Sequence, residues 1–267
     1  MFQKRKNNLA FYNFVEASGW MPSVADQRFA RSKAFYSEFL HSGMPASIVP
    51  HAPYSVSEIL WELITPYFEN KVVTIHNQET AFEDAFFLEG SGDFVRMYQL
   101  MNIDNSFFKP SLKSSLQTYF HKLEKAISVI LVHNTFTTQA DIEFVQNQKS
   151  NQLVSYCICI NANQYIEKAL PPIEMLIKNG CNIILGTDSI ASNYSLDMVE
   201  EMKTIQTNFP EVSLEQMLGW ATLNGAEALG MGGEIGSFEK GKKPGVVLLE
   251  NVEEKKLTKD SYSTRLV

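Results

Sequence analysis

The chain has 267 residues, 45% of them apolar and 20% charged, which suits one large α/β domain or two smaller ones and excludes a disordered chain. A formal net charge of −7 argues against a nucleic-acid groove, and no basic cluster exceeds Lys4-Arg5-Lys6. No apolar run approaches membrane-spanning length, no signal-peptide core follows that triplet, and Cys157, Cys159 and Cys181 are too few for a disulfide framework, so a cytoplasmic location is expected.

Taken in order, Leu9 to Glu16 reads as a strand that Gly19 and Pro22 end. Residues 24–42 read as a helix with Phe29, Phe35 and Phe39 on one face, stopped by Gly43 and Pro45. Ala46 to Val49 is a short strand running into His51. Ser55 or Ser57 caps the next helix. Lys71 to Ile75 is a strand ending at His76, and a helical stretch through Phe82 and Phe86 follows. Residues 89–112 read as a long loop with a helical turn around Phe94 to Leu100. A helix over 112–122 precedes the buried strand Ala126 to Val132, which ends at His133. After a short helix, Leu153 to Ile160 reads as a strand with Asn161 and Asn163 in the turn beyond it. Pro172 opens a helix that Gly180 closes. Ile183-Ile-Leu185 is a buried strand that breaks at Gly186 and delivers Asp188 past its end, and Tyr194 to Asp197 opens a helix. Ser213 with Gln216 forms a capping box for one long helix over 214–229, and the tail from Gly236 to Glu250 reads as strands.

This β-α alternation predicts a parallel sheet, open or closed into a barrel. Side chains at the C-terminal ends of such strands are where α/β folds place their chemistry. His51, His76 and His133 each end a strand, and with Asp188 they supply nitrogen and carboxylate donors for a divalent cation. Glu79, three residues past His76, either serves as a proton shuttle near that cation or caps the following helix. His41 and His121 fall among polar neighbours on helices and are read as surface residues. Asn161 and Asn163 either touch substrate or shape a turn. Cys157 and Cys159 are read as ordinary strand cysteines, one facing in and one out, since C-x-C matches no C-x-x-C metal or redox motif.

Six segments carry a family resemblance in order: His51-Ala-Pro-Tyr-Ser55, His76-Asn-Gln-Glu79-Thr80, Leu131-Val-His133-Asn134, Cys159-Ile-Asn-Ala-Asn163, Leu185-Gly-Thr-Asp188 and Ala221-Thr-Leu-Asn-Gly-Ala-Glu-Ala-Leu229. The series resembles the amidohydrolase superfamily, in the deaminase and chlorohydrolase branch that includes guanine, adenosylhomocysteine and aminodeoxyfutalosine deaminases. The resemblance implies an α/β fold, a metal-bearing (β/α)8 TIM-type barrel over residues 1–230 with a β-strand tail of a composite β-sandwich over 231–267. It implies that His76 and Asp188 are metal ligands and that Glu79, His133 and Asp188 are catalytic. His51, Glu79, Asn163 and Asn193 would bind substrate. One divalent ion is implied, zinc first and iron second, because imidazole and carboxylate suit both. The implied reaction is hydrolysis of a non-peptide carbon–nitrogen bond, deaminating a small aromatic or nucleoside-like amine by metal-activated water.

One departure is large. The family's first strand supplies a His-x-His pair, and no His-x-His exists in this sequence. The motifs begin at what would be strand three, so a chain truncated at its N-terminus and lacking two barrel strands is expected. The alternative is a non-catalytic or incomplete fragment that binds a ligand or a partner chain. The expected partner is a small-molecule substrate, with no nucleic acid and no membrane; exposed sheet edges would favour a homo-oligomer.

Overall fold

Each apolar run read as a strand ahead of the tail forms a parallel strand in the computed structural model, which describes residues 9–148 and 151–267; the Lys4-Arg5-Lys6 segment lies outside them. The strands are β1 (Asn13–Ala17), β2 (Ala46–Pro50), β3 (Val72–Asn77), β4 (Ser128–His133), β5 (Leu153–Ile158) and β6 (Asn182–Leu185). β1 pairs with β2, and β3 to β6 pair consecutively, all in parallel. The two groups meet where the carbonyl of His51, just past β2, accepts the backbone N–H of His76 at 3.0 Å. The strand ends carrying the two imidazoles are therefore tied together.

The helices between strands are α1 (Ala25–His41), α2 (Glu58–Ile64), α3 (Ala81–Glu89), α4 (Asp93–Leu100), α5 (Ser115–Tyr119), α6 (Gln139–Gln146), α7 (Ile160–Glu167) and α8 (Ile173–Lys178). They are followed by α9 (Met198–Asn208), α10 (Leu214–Ala221) and α11 (Leu223–Ala228). Strand side chains alternate between two faces. Ile48, Val73 and Leu131 belong to the outer layer, buried in one core with Leu60, Leu116 and Ile142 from the helices. Fully burying a side chain of this size contributes roughly 1.5–3 kcal/mol. Val72, Ile130, Cys157 and Ile184 form the inner layer, with Ala228 of α11 packed among them. Ser128 Oγ donates to the Ala228 carbonyl at 2.7 Å and Asn224 Nδ2 to that of Ile183 at 2.9 Å, so α11 fills the end of the interior where the strands begin. The opposite end is left to the functional side chains.

Four expectations need correction. Cys157 and Cys159 do not face opposite ways, because residues two apart on a strand share a face. Both sulfurs lie against Gly186, where an added Cβ would sit 2.8 Å from Cys157 Sγ and 3.1 Å from Cys159 Sγ. The segment after β5 is not a turn: α7 begins at Ile160 and takes in Asn161 and Asn163. The helix over 214–229 is two helices, broken at Thr222 (φ −125°, ψ −83°), which lets α11 bend beneath the strands. In the tail, residues 236–246 form no strand; β7 (Val247–Glu253) and β8 (Lys256–Arg265) make an antiparallel hairpin instead. Gln206 of α9 holds that hairpin by exchanging two 2.8 Å hydrogen bonds with the backbone of Leu257.

Candidate metal centre

His76, His133 and Asp188 converge at the C-terminal mouth of the strands, each offering one donor atom within 4.8 Å of the others. They arrive from β3, from the last residue of β4 and from the loop after β6. Strand alternation would turn His133 away from the interior, since its predecessor Val132 shares the inner layer. A left-handed backbone at His133 (φ 78°) and Asn134 (φ 57°) turns the ring back toward His76, with ring centroids 5.4 Å apart. Gln78 (φ 44°) and Asp188 (φ 55°) share this conformation at the same mouth. Such backbone is unfavourable for residues with a Cβ, and its clustering at functional sites is a general pattern.

Hydrogen-bond partners assign the imidazole protons. His76 Nδ1 lies 2.7 Å from the His51 carbonyl, which can only accept, so Nδ1 carries the proton and the Nε2 lone pair is free. Asn163 Nδ2 donates to the His133 carbonyl at 3.1 Å, which turns Asn163 Oδ1 toward His133 Nδ1 at 2.9 Å and places that proton on Nδ1 too. Ser55 Oγ donates to the Ala52 carbonyl at 3.0 Å and so accepts from His51 Nδ1 at 2.8 Å. All three rings thus keep Nε2 as a lone-pair donor. Burial lowers the pKa of His51, helped by neighbouring His76. Burial also lowers that of His133, partly opposed by Glu79. Both therefore favour the neutral form that ligates cations.

Glu79 does not cap α3, whose N-cap is Thr80. Its Oε1 lies 3.5 Å from His133 Nε2 instead. Two lone-pair bearers facing each other need a proton, a water or a cation between them. Asp188 Oδ2 accepts from Ser192 Oγ. Two imidazole lone pairs and a carboxylate are a donor set that suits zinc and iron alike, and three protein ligands is the usual number at a catalytic zinc. The family resemblance implied only His76 and Asp188 as ligands, while the strand-end pattern also offered His51 and His133; the geometry brings His133, and not His51, to within 4.8 Å of the other two.

Asn163 and Asn193 are buried, and both spend their amides on the protein. Asn193 Nδ2 donates to the Thr187 carbonyl and to Glu201 Oε1, both at 2.7 Å, while its Oδ1 accepts from Tyr194 N at 2.7 Å. His51 stands beside His76, ring centroids 4.9 Å apart, with Tyr54 edge-on behind it. His41 and His121 are exposed, away from this cluster. Ser192 and Glu201 went unread in the sequence, and Ser55 was read only as a possible cap of α2, a place that Ser57 takes. Only Glu201 left a signal there: a carboxylate set between Val199 and Met202 on an apolar helical stripe.

Imidazoles and carboxylates gathered at the C-terminal mouth of parallel strands define a TIM-barrel-like α/β protein with a candidate cation site. The chain belongs to the amidohydrolase family, whose pattern matches residues 32–264. It is 28% identical over 212 residues to a 5'-deoxyadenosine deaminase of Methanobrevibacter smithii, covering 75% of this chain and 43% of that protein. It resembles the structure of a Xanthomonas campestris adenosine deaminase with bound zinc at 25% identity and a TM-score of 0.68, covering 91% of this chain and 53% of that one. Helicobacter pylori aminofutalosine deaminase shares the fold with a TM-score of 0.78 at 21% identity, covering 91% of this chain and 61% of that one. The chain spans about half the length of curated relatives it matches, 43% and 50% for two deaminases. No helix among the described residues is long and apolar enough to cross a membrane, and all three cysteines are free.

Proposed function

We propose that this chain carries the cation site and proton-transfer residues of a hydrolase that removes an amino group from a nucleoside-like amine. The observation that carries this is the convergence of His76, His133 and Asp188, with Glu79 facing His133 Nε2. His76, His133 and Asp188 would hold one divalent ion, zinc first. When bound, that ion supplies Lewis-acid chemistry, lowering the pKa of water toward neutrality. Asp188, held by Ser192, orients the attacking water. Glu79 carries a proton from that water to the departing amine, a role that suits a carboxylate beside a neutral imidazole. His51 Nε2 faces the substrate, and Asn163 and Asn193 act as positioning residues behind His133 and Asp188.

Relatives named as deaminases of 5'-deoxyadenosine and of methylthioadenosine and S-adenosylhomocysteine support a purine nucleoside as the substrate class. The division into a barrel over 1–230 and a tail over 231–267, and a cytoplasmic location, belong to the same proposal. The test is ammonia release by the full chain, supplied with zinc, from adenosine, 5'-deoxyadenosine and methylthioadenosine. Turnover lost in Glu79→Gln is the expected result. Zinc-loaded chain that releases ammonia from none of them would overturn the deaminase reading.

A further inference from the structure

The helix α7 begins without a cap of its own: its N-cap residue, Cys159, makes no side-chain capping bond. The first backbone N–H groups of a helix have no partner inside it and must find one elsewhere. Here the partner comes from α9, where Glu201 Oε2 accepts the backbone N–H of Asn161 at 3.1 Å. An anion suits that position, where the helix dipole is positive. The other oxygen, Oε1, accepts from Asn193 Nδ2 at 2.7 Å. Glu201 is fully buried and forms no ion pair with any described residue.

Each oxygen leads to a different donor of the candidate cation site. Through Asn161, Glu201 fixes the start of α7, and two residues on Asn163 grips His133 by ring and carbonyl. Through Asn193, Glu201 fixes the Thr187 carbonyl, the peptide immediately before Asp188. Asn193 cannot turn over, because its Oδ1 already receives the N–H groups of Tyr194 at 2.7 Å and Ser195 at 3.3 Å. Both groups facing Glu201 are therefore donors. The site needs an acceptor on each side, which a carboxylate supplies and an amide does not.

We infer that Glu201 is a positioning residue that sets His133 and Asp188 relative to one another, by capping α7 with one oxygen and clamping the Asp188 loop with the other. This rests on the metal-site reading only in its consequence for cation affinity. Glu201→Gln keeps the volume and puts an NH2 group against one of the two donors. The folded variant, verified by its circular dichroism, should bind zinc about 10–100-fold more weakly in competition with a chromogenic chelator, the usual effect of an outer-shell partner. Long-range proton–nitrogen NMR of the imidazoles should show His133 held as the Nδ1–H tautomer in the zinc-free wild type and as a mixture in the variant.

One arm needs no variant. In the wild type, the Asn161 amide should be protected from hydrogen exchange, whereas a helix's first-turn amides ordinarily exchange freely. Wild-type zinc affinity together with an unchanged His133 tautomer in Glu201→Gln would overturn the inference, as would an unprotected Asn161 amide. If the wild type binds no zinc, the metal-site reading fails, and the tautomer and exchange arms still decide the role of Glu201.

Discussion

The carbonyl oxygen of His51 receives both the backbone N–H and the ring Nδ1 of His76, at 3.0 and 2.7 Å. One acceptor thus joins β2 to β3 and fixes the orientation of an imidazole at the mouth. This arrangement predicts how the chain takes up a cation. Isothermal titration should give one zinc per chain, and His76→Ala or Asp188→Asn should weaken it by more than the roughly 10–100-fold typical of an outer-shell partner. Free zinc at about 100 times its Kd should raise unfolding stability by about 2.7 kcal/mol, and a chelator should return it to the metal-free value. Unchanged affinity in Asp188→Asn would remove that carboxylate from the site.

Glu79 contributes differently. It faces His133 and is not one of the three converging donors. Glu79→Gln should therefore leave zinc stoichiometry at the wild-type value while lowering kcat about 10²–10⁴-fold, the usual contribution of a positioned acid or base. Metal analysis and ammonia release on the same preparation separate the two effects. Loss of the ion in Glu79→Gln would instead assign Glu79 to ligation.

The strands and their terminal histidines were legible because each apolar run is short and ends at a polar residue. Asp188 was legible because Gly186 breaks the run before it. The inward aim of His133 was not legible, since it depends on a left-handed backbone that a sequence does not display. Asn163 looked like an amide past a strand end that touches substrate or shapes a turn, and Asn193 entered only through the family resemblance. Their use as clamps emerges only where α7 and the Asp188 loop come together. Glu201 is separated by 40 residues from Asn161 and by eight from Asn193, so no local pattern reveals that it serves both. The cysteine reading failed for a simpler reason, since a period of two places alternate residues on one face.

The pH dependence of stability should carry the imprint of Glu83 on α3. Its Oε1 accepts the backbone N–H of Gln78 at 2.9 Å, holding the left-handed residue beside Glu79. Complete burial pushes its pKa up to about 8, against partial relief from the Ser115 hydroxyl and the Gln78 backbone. Between the ordinary carboxylate range and about 8, the folded chain holds a proton that the unfolded chain has lost. Stability from this group is therefore complete below the ordinary range and declines as pH rises toward 8. Glu83→Gln keeps the acceptor for Gln78 and cannot ionise. Urea titrations at pH 5 and pH 9 should show the wild type losing on the order of a few kcal/mol more than the variant. Parallel losses in the two proteins would show that Glu83 does not titrate in this window.

Gly186 gives a prediction about packing next to the site. No left-handed backbone demands glycine here; the need is space, because an alanine Cβ would come within 2.8 Å of Cys157 Sγ and 3.1 Å of Cys159 Sγ. Both cysteines are buried in the inner layer, so their sulfurs have little room to retreat. Gly186→Ala should cost about 1–3 kcal/mol of overpacking, against a gain of roughly 0.4–1 kcal/mol from a stiffer unfolded chain. Removing the nearer sulfur by Cys157→Ala opens the space that the new methyl needs. The double variant should then be more stable than the sum of the single changes predicts, by about 0.5–3 kcal/mol of coupling. Urea unfolding of the four proteins measures that coupling directly. Additive losses would place the clash with the backbone or with Cys159. Zinc affinity measured on the same four proteins tests whether the strain reaches Asp188, two residues beyond Gly186. An affinity that falls in Gly186→Ala and recovers in the double variant would tie the dithiol packing to the geometry of the site.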